Sequence, residues 1–160
     1  MAPWTPPPGL ERAYSSLLKD MHLTLLSEIG ARSIYDHLGR LTRDPELRAL
    51  LRRLNQEGAE SVRQLQELMR GMGGRPRRTS LRRRALARVL ALSSRVLGAR
   101  LVLRLCQNAE ETVGRWYADY GLFLARIGDV ERARECETLA VIKRLHSQAL
   151  GAWVTNLRRR

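Results

Sequence analysis

Lysine is almost missing from this chain: of its 29 basic residues, only Lys19 and Lys143 are not arginine. Aromatic residues make up 5%, with a single phenylalanine, so there is little for nucleobases to stack on. Only two cysteines occur, Cys106 and Cys136, without metal-type spacing and in helical stretches, so buried free thiols are expected. No run of 18 uncharged apolar residues exists, which excludes a membrane-spanning helix. Acidic residues are absent from one long stretch, residues 68–109, which contains eleven arginines. That stretch carries +11 of the net charge of +13, leaving +2 for the rest. Arginine bias of the whole sequence explains the lysine scarcity more easily than this concentration.

At 160 residues and 44% apolar composition, one domain with a real core is expected. Strand signals are nearly absent, and apolar residues recur every three or four positions. Residues 1–9 hold four of the six prolines and read as an extended arm. They show no basic start and no apolar run, so no secretory signal is expected and the expected location is the cytoplasm.

The first helix is expected over residues 10–38, with Gly39 ending it. Asp44-Pro45-Glu46 reads as N-cap, first-turn proline and dipole-complementing acid for a second helix to about residue 69. Gly71, Gly73 and Gly74 stop that helix. A crossover over residues 70–98 follows, and Thr79-Ser80 can cap an extra helix over 81–97 carrying Arg82, Arg83, Arg84, Arg88 and Arg95. A third helix spans roughly 99–127, ended by Gly128, and Asp129 caps a fourth that runs to about 156. Residues 158–160 form a basic tail. Two short-linked hairpins joined by one long connection predict an all-α four-helix bundle over residues 10–157.

The chemistry centres on a repeated spacing. Glu28 lies seven residues before Tyr35, and Glu110 seven before Tyr117, inside segments otherwise built from Leu, Val and Ala. Seven residues is close to two turns, so each Glu shares a face with its Tyr. Two helices repeating an inward carboxylate suggest a polar site within the bundle.

With this helix order, the chain resembles the ferritin-like di-iron carboxylate superfamily, nearest the rubrerythrin and demethoxyubiquinone hydroxylase branches, from about Leu17 to Trp153. Residues 73–81 are similar to the hydroxylase branch's linker after its second helix. The resemblance implies six metal ligands: a Glu from the first and third helices, and Glu-x-x-His from the second and fourth. Glu28 and Glu110 match the single glutamates, and His146 matches the fourth helix's histidine. Its partner position three residues earlier is Lys143. In the second helix, Gly58 and Ser61 stand at the glutamate and histidine positions; a shifted register offers Glu57 and Glu60 instead, with no histidine.

An ammonium between two carboxylates can neutralise them without iron, because buried charges persist only when paired. The sequence therefore predicts a buried ionic cluster of Glu28, Glu110 and Lys143 with His146 alongside. His22 and His37 have no acid at ligand spacing and read as structural. Ser61 with His146 lacks an oxyanion hole and an orienting acid, so a nucleophilic pair is set aside.

Two functions remain in view. One is a vestigial, non-catalytic bundle without cofactor, serving as a binding or structural subunit through its arginine-rich crossover. The alternative is an iron-dependent oxidase or hydroxylase with a di-iron or single-metal site built on Glu28, Glu57 or Glu60, Glu110 and His146. The expected partner is another protein or a second copy. An anionic membrane surface is open as well, since Arg84, Arg88 and Arg95 share a face while Leu81, Leu92 and Val96 are available to another; it would place the protein on the inner face of a membrane. Non-specific nucleic acid comes third, because no aromatic residue lies between Met72 and Arg115.

Overall fold

The computed structural model describes residues 5–76 and 98–156. Four helices make up nearly all of them: α1 (Glu11–Leu41), α2 (Pro45–Gly71), α3 (Ala99–Arg126) and α4 (Val130–Asn156). The chain is an all-α four-helix bundle. The extra crossover helix expected over 81–97, with Arg82, Arg83, Arg84, Arg88 and Arg95, lies outside the described residues.

Local chemistry sets the helix ends. The Asp44 carboxylate accepts hydrogen bonds from the Glu46 and Leu47 amides at 2.9 and 3.1 Å, with Pro45 in the first turn. A cap of this kind contributes about 1 kcal/mol. At the other end of α2, Gly73 adopts φ +77°, and the Gly74 amide reaches back to the Met69 carbonyl at 2.8 Å. The same closure ends α3, with Gly128 at φ +85° and the Asp129 amide on the Leu124 carbonyl. Asp129 then caps α4 through the Arg132 amide at 3.4 Å. Gly39 does not end α1, contrary to expectation. The helix continues to Leu41, and the break comes at Thr42, whose extended backbone leads into Asp44-Pro45. Asp44, held extended before Pro45, is likewise out of the helical region, so the helix stops in the Thr42–Asp44 link rather than at the glycine.

Direction follows from which ends share a core. Tyr35 and Leu38 of α1 pack with Leu47 of α2, Val102 of α3 and Val154 of α4. Tyr14 and Leu17 pack with Met69, Leu124 and Ala133 at the other end. So α1 runs with α4 and against α2 and α3. Since α2 and α3 are parallel, the end of α2 and the start of α3 lie at opposite ends of the bundle, about 40 Å apart for helices of this size.

Packing is uneven. α1 with α2, and α3 with α4, form close hairpins; α1–α3 and α2–α4 approach sparsely, and the backbones of the diagonal pairs stay more than 8 Å apart, Cα to Cα, among the described residues. The α3–α4 seam is tight because Gly114 and Gly121 face it: a Cβ on Gly114 would lie 3.2 Å from Lys143 Cβ, and one on Gly121 3.2 Å from the Ala133 carbonyl. The core splits accordingly into two apolar clusters, one toward Tyr14 and one toward Leu38. Between them lies a polar layer, and the functional question is what that layer does.

Candidate functional site: a buried ion cluster between two hairpins

Four buried polar side chains from three helices meet at the bundle's centre. Lys143 of α4 is 1% exposed, Glu28 of α1 2%, Glu110 of α3 3% and His146 of α4 2%. Helical periodicity puts them there: Lys143 and His146 fall one turn apart, in register with Leu139, Ala140 and Leu150 on the buried side of α4. The Lys143 Nζ atom lies 2.6 Å from Glu28 Oε2 and 3.2 Å from Glu110 Oε2. His146 Nδ1 faces Glu110 Oε2 at 3.4 Å, and neither of these two atoms has a formed hydrogen bond. On the other side of the ring, Nε2 lies 2.8 Å from Glu57 Oε2, so the imidazole stands between two carboxylates.

The tyrosines are crossed. Tyr117 donates to Glu28 at 3.1 Å, and Tyr35 donates to Glu110 at 2.5 Å. Each tyrosine thus serves the glutamate of the other helix, as if two halves of one motif had been exchanged. Thr24 and Tyr120 make a further α1–α3 hydrogen bond at 2.7 Å. These three hydrogen bonds, with the Lys143–Glu28 and His146–Glu57 contacts, join one hairpin to the other. Where the backbones stand too far apart for close apolar packing, the ion cluster ties the halves together.

Burial and charge oppose each other at each group. Burial pulls the Lys143 ammonium down, but the Glu28 and Glu110 carboxylates outweigh it and hold the proton above the usual lysine value. Burial pushes Glu28 up, and Lys143 does not fully cancel that rise. Burial would raise Glu110 too, yet the His146 contact, the Lys143 charge and the Tyr35 hydroxyl bring it below the ordinary carboxylate value. Tyr35 and Tyr117 sit well above 10, through burial first and the adjacent carboxylates second, so both remain donors. Cys106 and Cys136 are free and buried, and burial raises both thiols to about 12.

No protein-family model, curated protein or solved structure matches this chain. The fit of a metal therefore rests on the donor set alone.

That set does not fit a di-iron centre. A cation already stands between Glu28 and Glu110, tethered as Lys143. Gly58 and Ser61 are buried in the layer but offer no carboxylate and no imidazole. The space beside Gly58 is taken by the Arg32 stem, whose Cγ would lie 3.1 Å from a Cβ there. Arg32 Nε in turn donates to the Asn55 side chain and carbonyl. Glu57 reaches the cluster from a half-exposed position. Glu60 does not; it turns outward to pair with Arg63 and Gln64. Among the described residues, no group of three or more His, Cys, Asp or Glu side chains gathers so as to hold a metal ion. His37 is engaged with the Ser33 carbonyl one turn back, and Ser61 with the Glu57 carbonyl.

Several of these features have no signal in the sequence. Glu57 as the partner of His146, Gly114 as the notch beside Lys143, and Arg32 over Gly58 are each relations across helices. Their only trace is a small residue at a heptad-like interval, Gly114 and Gly121, within an otherwise bulky face. Among the described residues, no helix is long and apolar enough to cross a membrane.

Proposed function

We infer that this chain is a ferritin-like bundle whose central carboxylates are architectural, and that it works as a non-catalytic binding or structural subunit. The single observation that carries this reading is the Lys143 ammonium within 3.2 Å of both Glu28 and Glu110. A lysine there supplies the positive charge that two buried carboxylates require, and it blocks the place a shared cation would take. What remains for function is the surface, above all the eleven arginines between residues 68 and 109. These suit an acidic protein partner, with an anionic membrane face as the second surface of matching charge.

The deciding experiment is elemental analysis of untagged protein, with thermal melts in chelator and in ferrous iron. The reading predicts no stoichiometric metal and the same midpoint under both conditions. Two irons per chain, or oxidase activity on adding ferrous iron, would reinstate the di-iron alternative.

A further inference from the structure

The outer side of α1 is covered. Every residue from Thr24 to Gly39 is buried or half-buried, whereas exposed residues recur at each turn of α2, α3 and α4. Leu26, Gly30, Ser33 and His37 recur at three and four on the side away from Glu28, Tyr35 and Leu38, and none of them is Asp, Glu, Lys or Arg. Leu26 is half-buried although it belongs to neither apolar cluster. α2 and α3 flank α1, and α4 stands diagonally across, so no helix of the bundle reaches that side. The short links lie at the bundle's ends, so the cover comes from elsewhere in the chain. Residues 1–4 and 157–160 are too short to shield four turns, about 24 Å of helix. Residues 77–97 remain.

We propose that residues 81–97 seat on this face as a fifth helix running parallel to α1. α2 and α3 stand on one diagonal, so a connection between them crosses either α1 or α4. The outer side of α4 is open: Arg134, Val141, Leu145 and Gln148 are all exposed there. The route is therefore over α1. Gly74 lies against Leu18 at one end, and the Tyr35–Glu110 bond sets Gly98 past Leu41 at the other. Seventeen helical residues reach about 25 Å back from Gly98, to the level of Gly30. Extended residues between Gly74 and Leu81 span the remaining ~20 Å. Gly98, at φ +83°, supplies the reversal from a segment parallel to α1 into the antiparallel α3. The residue pattern agrees. At about 100° per residue, Leu81, Ala85, Leu86, Val89, Leu92 and Val96 fall within one half of a helix, and Arg83, Arg84, Arg88 and Arg95 within the other. Arg82 alone interrupts the apolar half, in the first turn. Ser33 is small and the space over Gly30 is open, which leaves room for the larger side chains opposite. The inference stands apart from the metal-free reading, since nothing in it uses the buried cluster.

Cysteine chemistry on the full chain tests it, since Cys106 and Cys136 are buried. The Lys143–Glu28 contact puts Ser33 and Gln148 at one level, on the outer sides of α1 and α4. Ser33→Cys with Ala85→Cys should close an intramolecular disulfide under mild oxidant, and Gln148→Cys with Ala85→Cys should not. A maleimide should label Ser33→Cys at least about tenfold slower than Gln148→Cys in native protein. Val89→Asp, which charges the seated face, should abolish that difference while the protein stays helical by circular dichroism. Equal labelling of the two single variants, protection that survives Val89→Asp, or a Ser33→Cys pair that stays reduced overturns the proposal. So does a disulfide formed equally well with Gln148→Cys, or one that joins two chains.

Discussion

Replacing Lys143 with methionine removes one charge and keeps most of the volume. The structure fixes what is left behind: two carboxylates, 2% and 3% exposed, whose shared ammonium at 2.6 and 3.2 Å is gone. Breaking a buried ion pair from one side costs about 3–5 kcal/mol, because the abandoned charge cannot be rehydrated. For a chain of this length, that is a fall in Tm of roughly 6–20 °C. Part of the loss is recoverable, since burial already raises Glu28 above the ordinary carboxylate value and loss of Lys143 raises it further, so it takes up a proton more readily. The assay is a thermal and urea melt of Lys143→Met, Glu28→Gln and the double variant. Glutamine keeps the acceptor for Tyr117 without the charge, so the double variant should be more stable than Lys143→Met alone. The coupling energy should reach about 1–3 kcal/mol. A loss below about 1 kcal/mol for Lys143→Met, or additive effects in the double variant, would refute the claim that the ammonium balances these carboxylates.

Alkaline unfolding should be steep. Lys143, Tyr35 and Tyr117 all hold their protons more tightly folded than unfolded, so their contribution is complete below about pH 10 and lost as pH rises through their folded values. Each adds about 1.4 kcal/mol per pH unit to the fall of stability in that window, and Lys143→Met should remove one such increment in urea melts from pH 9 to 12. On the acid side Glu110 behaves oppositely: its contribution is present above 4.5 and lost as pH drops through its lower folded value, while Glu28 partly offsets the loss. A thiol reagent at pH 8 should leave Cys106 and Cys136 unmodified in native protein and react with both in denaturant; fast native labelling would contradict their burial and raised values.

Much of this layout was legible in the residues, and the boundary is instructive. Asp44, Pro45, Gly128 and Asp129 announced their turns because capping is chemistry within four or five residues. Glu28 and Glu110 could be placed inward because seven-residue spacing fixes a face. Lys143 and His146 were reached through the resemblance to a Glu-x-x-His fourth helix, not from spacing within α4 alone. What the spacing within a helix does not contain is the partner across the gap. Tyr35 shares a face with Glu28 yet bonds Glu110, and the crossed arrangement depends on how far the hairpins slide. Gly39 misled for the opposite reason: its local stop signal was overruled by Asp44-Pro45 five residues on. Glu60 and Glu57 look interchangeable in the sequence, and the α-helical phase separates them, one on Arg63 at the surface and one on His146.

The scarcity of lysine provides the most direct measurement. With only Lys19 and Lys143 in the chain, a ¹⁵N spectrum of side-chain ammonium groups contains two signals. One should exchange slowly with water at neutral pH, stay protonated past pH 10.5, and shift when Glu28 is replaced by Gln. Two fast-exchanging signals with ordinary titrations would put Lys143 in solvent, leave the carboxylates unbalanced, and contradict the account at its centre.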